Sequence, residues 1–318
     1  MKQSFKTDSK EFIYTYVRHK DEHDLCKLEM RSFFGYDSDS NVLISKTAID
    51  PSRSPFMKER LEVLITCNSF EELMSEAERF VSHKTFRVTC LNTIDLGDTE
   101  KIGHNKRRKM EKAIGEKITG EADLDHPETH YGFVLLDGVY YFGSVEESVP
   151  YWRFHQQKPH MYSTALSTRV ARAVANIAVP HPEGVKAIDP CCGIGTVLVE
   201  ARSMGIDIVG RDINPLVCRG SRKNLFHFGL ECEVVKGPIS EVTDTYDSAI
   251  IDMPYNLFTH ITAEGQLGIL KDARRITEKL VVVTIETIDD MIEQAGFNIV
   301  DRCVARKGTF ERQVIVCL

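Results

Sequence analysis

The chain has 318 residues, 42% of them hydrophobic and 27% charged, with a formal net charge of −7 and a sequence pI near 5.9. Such a length holds two or more domains with ample core, and a mean hydropathy of −0.22 describes a soluble globular protein. The acidity excludes a surface coated throughout for nucleic acid, though not a local basic face.

From the amino terminus, Phe12 to Phe34 alternates apolar and charged residues and carries no phosphate or metal motif. Two stretches, 61–67 and 85–90, read as strands, with a helix from Phe70 to Val81 between them. Lys101 to Gly115 is the most basic helix of the chain. Its Lys106, Arg107, Arg108 and Lys109 offer a phosphate-contacting face, and the competing reading is a solvated helix face. The strands 131–136 and 139–143 are joined by Asp137-Gly138, a hairpin signal. Residues 151–158 mix aromatic and basic side chains at a domain junction, where packing is the favoured reading over stacking on RNA.

Val185-Lys186-Ala187-Ile188 reads as a buried strand ending at Asp189-Pro190. In the Cys191-Cys192-Gly193-Ile194-Gly195-Thr196 turn that follows, Gly193 and Gly195 permit positive φ and close approach of a ligand, and Thr196 is placed to cap a helix through Ala201. The spacing excludes a dinucleotide fingerprint, because Leu198 stands where the third glycine belongs, and no Walker Gly-Lys-Ser/Thr is present. Asp212 ends the next apolar run, where its carboxylate can accept both hydroxyls of a ribose. Alternatively, it only begins the turn into a helix opened by Asn214-Pro215.

Residues 247–251 form another buried strand, with Asp252 at its carboxyl end, the edge at which open α/β sheets bind ligands. Asp252 and the Met253 carbonyl can accept both hydrogens of an sp² amine, Pro254 shapes the turn, and Tyr255 can stack on the ring that carries the amine. A helix from about Ala263 to Glu278, a strand at 280–285, a helix at 289–295 and a hairpin of 298–300 with 313–316 complete the pattern. The nine cysteines are odd in number, with no Cys-x-x-Cys and no paired Cys/His spacing, so no metal is expected. No apolar run approaches a membrane span, and 1–6 lacks the apolar core of a signal peptide. The expectation is a cytoplasmic protein with no membrane partner.

Asp189 to Thr196 followed by Glu200-Ala201, together with Asp252-Met253-Pro254-Tyr255, resembles the motifs of class I S-adenosylmethionine-dependent methyltransferases. The similarity is to the RNA guanosine-N2 branch that carries a THUMP domain. The resemblance implies an α/β fold: a Rossmann-like methyltransferase sheet with an antiparallel carboxyl-terminal hairpin, preceded by an α+β ferredoxin-like/THUMP region. It divides the chain into a ferredoxin-like subdomain (1–55), a THUMP-like RNA-binding domain (56–150), a linker (151–165) and the methyltransferase domain (166–318). It implies S-adenosylmethionine held by Ser163, Thr164, Asp189, Cys191, Gly193, Gly195, Thr196, Asp212 and Ile213. Asp252, Met253, Pro254 and Tyr255 then form the catalytic motif, tRNA is the partner, and the protein is a monomer or weak homodimer.

The activity so implied is methylation of the exocyclic N2 amine of a tRNA guanosine. The alternatives are an rRNA, DNA-adenine or protein-glutamine substrate, or a THUMP protein that binds RNA without modifying it. Two departures from the family pattern stand out. Met253 replaces a proline, which should keep the carbonyl acceptor while loosening the turn. Gly237-Pro238 stands where an acid and an amide donor to adenine are usual, and neither residue supplies them.

Overall fold

The computed structural model describes residues 10–91, 102–254, 261–307 and 310–318. The chain divides into two compact units. One comprises Met1–Val17, Ser38–Ser52 and Phe56–Val149, and the other Arg18–Asp37, Arg53–Pro55 and Pro150–Leu318.

The first unit contains β1 (Phe12–Tyr16), β2 (Val42–Ser45), β3 (Met57–Cys67), β4 (Phe86–Cys90), β5 (Thr129–Leu136) and β6 (Val139–Glu147). They form one sheet in the order β2-β1-β3-β6-β5-β4, antiparallel apart from the parallel pair β4 and β5. A boundary at residue 55 therefore does not separate two sheets, because β1 lies between β2 and β3 with Ile13 opposite Leu61. Every residue of β1 is buried, and so apolar a strand needs pairing on both edges and cover on both faces. The hairpin expected at Asp137-Gly138 is present, with φ of 50° and 81° at these two residues, the signs a type I′ turn requires.

Of the helices near the amino terminus, α1 (His23–Phe34) belongs to the second unit, while α2 (Phe70–Arg79) and α3 (His104–Lys117) belong to the first. Leu73 and Ala77 of α2 and Met110 and Ile114 of α3 join Phe86, Phe133 and Phe142 of the sheet in one core. Lys106, Arg108 and Lys109 project from α3 as exposed side chains, and Arg107 is half-buried.

The second unit continues with α4 (Thr168–Ala178), β7 (Lys186–Asp189), α5 (Thr196–Ser203), β8 (Asp207–Asp212), α6 (Pro215–His227), β9 (Val234–Lys236) and β10 (Tyr246–Asp252). It ends with α7 (Ala263–Ile276), β11 (Thr277–Thr284), α8 (Asp289–Gln294), β12 (Ile299–Lys307) and β13 (Phe310–Cys317). The sheet order is β12-β13-β11-β10-β7-β8-β9, with β7 to β11 parallel and β13 antiparallel to both β11 and β12. This is the expected parallel sheet closed by an antiparallel hairpin. Ile188, Ala249, Ile251, Leu280, Val282 and Ile315 fill one side of it, the near-continuous apolar signature of strands covered on both faces.

Successive strands run outward from β7 through β8 to β9 in one direction, and from β10 to β11 in the other. The switch point lies between β7 and β10, so the crevice at their carboxyl ends is where such a sheet binds its ligand. Asp189 and Asp252 are the last residues of those two strands.

A buried polar chain braces the unit. Glu200 of α5 accepts from Arg172 Nη1 at 2.8 Å, and its other oxygen lies 2.8 Å from Nδ1 of His155. Glu29 of α1 accepts from Asn176 Nδ2 at 2.7 Å and from Ser54 Oγ at 2.5 Å. Burial pushes the Glu29 carboxyl up to about 7 against these bonds. Trp152, His155 and Lys158 are buried. Among the described residues no helix is long and apolar enough to cross a membrane, and no group of three or more His, Cys, Asp or Glu could hold a metal ion.

Candidate active site

The glycine turn after β7 is built by its backbone. Gly193 has φ 52° and Gly195 φ 77°, left-handed conformations that favour glycine. A Cβ at Gly193 would meet nothing within 4 Å, whereas one at Gly195 would lie 2.2 Å from Ser221 Oγ of α6. Gly193 thus opens onto the crevice, while Gly195 lets α5 pack closely on α6.

Gly195, expected among the cofactor contacts, does not line the crevice and instead serves as the N-cap residue of α5. Thr196 does not cap the helix either. It is the first residue of α5, no side chain caps that helix, and its buried Oγ1 has no hydrogen-bond partner and belongs to a residue lining the crevice. A left-handed glycine already turns the chain at this point, which leaves the threonine hydroxyl available to a ligand.

The crevice is a cavity of about 620 Å³, a size suited to a nucleoside-sized ligand. Thr164, Asp189, Cys191, Gly193, Thr196, Asp212 and Ile213 line it, as do Asp252, Met253 and Pro254. Ser163 does not: it is exposed, and its neighbours Tyr162 and Thr164 line the crevice in its place. Tyr255 lies outside the described residues. Pro238, Ile239, Val217, Ile261 and Ile269, none of them expected from the sequence as contacts, give the cavity apolar walls.

Asp212 performs the turn-forming role that competed with ribose binding. Its Oδ2 accepts from the Gly193 amide at 2.9 Å and its Oδ1 from the Asn214 amide at 2.8 Å, which ties the tip of β8 to the glycine turn and to α6. The same carboxylate lines the cavity, and each oxygen retains a lone pair for a further donor. Asn214 caps α6 through the Leu216 amide at 2.9 Å, with Pro215 at the first helical position.

At the tip of β10 the buried Oδ1 of Asp252 has no hydrogen-bond partner among the described residues. Burial raises this carboxyl to about 7, opposed by the charge of Arg312. Asp189, fully buried, is raised well above the ordinary carboxylate range. Desolvation is the main cause, the Cys191 amide at 3.2 Å opposes it, and Asp252 and Asp212 add to it. Burial likewise raises the thiols of Cys191 and Cys192 far above their usual value, which keeps both protonated.

Met253 does not loosen its turn. Its amide donates to Val283 O of β11 at 2.8 Å, a bond that a proline at this position could not make, and its side chain is buried in the core. The Pro254 carbonyl accepts from Gln266 Nε2 of α7 at 3.2 Å, a nitrogen also 3.1 Å from Glu286 Oε2. The backbone at Met253 and Pro254 is thereby held from both sides.

Sequence reasoning missed Asn224, Arg312 and Gln266. Fully buried Asn224 accepts from the His160 amide at 2.9 Å and donates to the carbonyls of His160 at 3.0 Å and Ile194 at 2.9 Å, locking the segment before α4 onto the glycine turn. The signal available for it was an amide on the same helical stripe as Ser221 and Leu225, since a polar group on an apolar face must find partners. Arg312 of β13 holds the Thr164 carbonyl at 3.0 Å, a long-range contact with no local pattern. At Gly237-Pro238 the absence of an acid stands. Gly237 instead donates to Asp212 O at 3.0 Å, and Pro238 contributes cavity wall.

Residues 155–311 match the UPF0020 RMKL-like methyltransferase domain. The tRNA (guanine(10)-N2)-dimethyltransferase of Methanothermobacter thermautotrophicus is 31% identical over 172 residues, which cover 49% of this chain and 50% of that protein. The U6 snRNA (guanine-N(2))-methyltransferase THUMPD2 of Mus musculus is 28% identical over 181 residues, 54% of this chain and 33% of that protein. The chain therefore aligns with half or less of these relatives' length. The TrmN structure from Thermus thermophilus covers 96% of this chain and 99% of its own at 16% identity, with a TM-score of 0.48. The stretch 155–311, which holds the glycine turn and the aspartate-tipped β10, is similar to the RMKL-like methyltransferase domain.

Proposed function

We propose that the protein transfers a methyl group from S-adenosylmethionine to the exocyclic N2 amine of a guanosine in RNA, with tRNA as the substrate. The observation that carries this reading is the buried Oδ1 of Asp252 at the sheet's switch point, without a hydrogen-bond partner among the described residues and lining the same cavity as the glycine turn. The cavity suits the cofactor. Pro238, Ile239 and Ile213 offer apolar contact for an adenine, Asp212 can take ribose hydroxyls, and Asp212 and Asp252 with no Lys, Arg or His among the described lining residues favour a cation.

When bound, the cofactor supplies an electrophilic methyl on a positively charged sulfur. Asp252 and the Met253 carbonyl accept the two hydrogens of the amine, which is planar because its lone pair is delocalised into the base. Holding both hydrogens localises that lone pair and aims it, so that orientation lowers the barrier. Asp252 then takes the released proton. Only a base splayed out of its helix could reach so enclosed an acid.

The first unit is read as the THUMP-like RNA-binding half, with 106–109 of α3 as the phosphate-contacting face. The reading has support in the side chains of Lys106, Arg108 and Lys109, which are exposed although the whole chain is acidic. Because named relatives include tRNA and U6 snRNA enzymes, the test offers both RNAs. Labelled-methyl transfer followed by mass spectrometry of digested nucleosides is expected to give N2-methylguanosine from tRNA. Methylated adenine, or label only in DNA or protein, would overturn the assignment.

A further inference from the structure

The cavity is lined by acidic side chains, with the charge of Arg312 acting on Asp252 from β13. Asp189 from β7, Asp212 from β8 and Asp252 from β10 all line it, and no basic side chain does among the described residues. Asp212 is held by two backbone amides and Asp189 by one, but Oδ1 of Asp252 is buried with no hydrogen-bond partner among the described residues. A carboxylate so placed needs either a proton or a cationic ligand.

We propose that the Asp252 carboxyl gives up a proton when the cavity takes a sulfonium methyl donor, and that the spent thioether is held with Asp252 protonated. This deepens the methyltransferase reading and rests on it. In the transfer, the S–CH3 bond breaks with its electron pair left on sulfur, the amine lone pair forms the N–CH3 bond, and the N–H proton passes to Oδ1 of Asp252. The cavity's charge is then the same before and after: a cation beside a carboxylate becomes a neutral thioether beside a neutral carboxyl. The spent cofactor leaves without stranding a buried charge, and the next donor expels the proton.

The groups facing Asp252 determine where this exchange falls on the pH scale. Burial favours the protonated form of Asp252 and Arg312 of β13 favours the ionised form, while Asp189 at the tip of β7 and the thiol of Cys191 in the glycine turn are themselves held protonated, with Asp212 at the tip of β8 adding to both shifts. From α7 the neutral Gln266 reaches the Pro254 carbonyl, with Glu286 beyond it. With Asp252 raised to about 7, the exchange falls within the neutral range.

Isothermal titration calorimetry of the full chain at pH 7, in two buffers of different ionisation enthalpy, tests this with S-adenosylmethionine and S-adenosylhomocysteine as probes. Native protein should release about half a proton on binding the sulfonium ligand and markedly less with the thioether. Affinity for the sulfonium ligand should weaken toward tenfold per pH unit below 7, while that for the thioether stays flat. Asp252→Asn should bind both and lose the buffer dependence with the sulfonium ligand, so protons shed by the ligand itself would survive in the variant and be recognised.

A native enthalpy independent of buffer, or a proton count unchanged in Asp252→Asn, would overturn the inference while leaving the methyltransferase reading intact. Failure of either ligand to bind would overturn that reading, and the inference with it.

Discussion

Replacing Asp252 by Asn should make the protein less active and, above neutral pH, relatively more stable. The folded protein holds this carboxyl near 7 against 3.8 for the free side chain, so it binds a proton that the unfolded chain has already lost. The stability contributed by that proton is therefore complete below about pH 4 and disappears as the pH rises through 7. A shift of about three units corresponds to ~4 kcal/mol at 1.36 kcal/mol per unit. The residue as a whole is only half-buried although Oδ1 is fully shielded, so solvent screening reduces the expected effect to about 2 kcal/mol.

Asn carries no such titration, though its amide is as poorly partnered as the acid. The comparison is therefore one of slopes across pH. Thermal melts from pH 5 to pH 8 cover about two of the three units, so the variant's Tm should gain on the native protein by roughly 2–5 °C. Labelled-methyl transfer to RNA should fall about 10²- to 10⁴-fold, the range for loss of a proton acceptor. Melting curves that stay parallel across this range, with transfer undiminished, would refute the reasoning.

Gly195→Ala should cost about 2–3 kcal/mol from a forced contact with Ser221 Oγ and a left-handed alanine. Adding Ser221→Ala should restore the steric part and leave about 1 kcal/mol of strain, read as coupling in a denaturation cycle. Asn224→Ala removes three hydrogen bonds from a buried site and should lower stability by about 2–3 kcal/mol, with S-adenosylmethionine binding weakened in calorimetry because the 160–162 segment is released. Replacing Lys106, Arg108 and Lys109 together with Ala should weaken RNA binding in filter assays and flatten its log–log salt slope by about 2. Transfer at saturating RNA should be unchanged.

The parallel half was legible because its information is local. Glycines at left-handed positions, strands ending in Asp189 and Asp252, and the Asn214-Pro215 helix start each occupy a few adjacent residues. What was not legible depended on partners far away in sequence. Nothing near Met253 announces that its amide completes a bond to Val283, and nothing near Asp212 says that a glycine amide will claim one of its oxygens. Threonine before an apolar helix usually caps it, whereas here the left-handed Gly195 before Thr196 does the turning. The apolar spacing of Leu25, Leu28 and Met30 fits a helix, but pattern alone does not say which sheet that helix covers.

The position of α1 has a consequence for how the protein is made. Arg31 pairs with Asp301 at 2.8 Å across 270 residues of chain, and Glu29 waits for Asn176. Ribosomes emit this helix early, well before the hairpin that receives it, so its apolar face stays uncovered through most of translation. The second unit thus completes its fold only as the last strands emerge, a slow closure in which a nascent-chain chaperone has time to act. For the same reason, expressing residues 166–318 alone should yield a product with an unsheltered seam along α4, and a workable shortened version would have to carry the early helix by circular permutation.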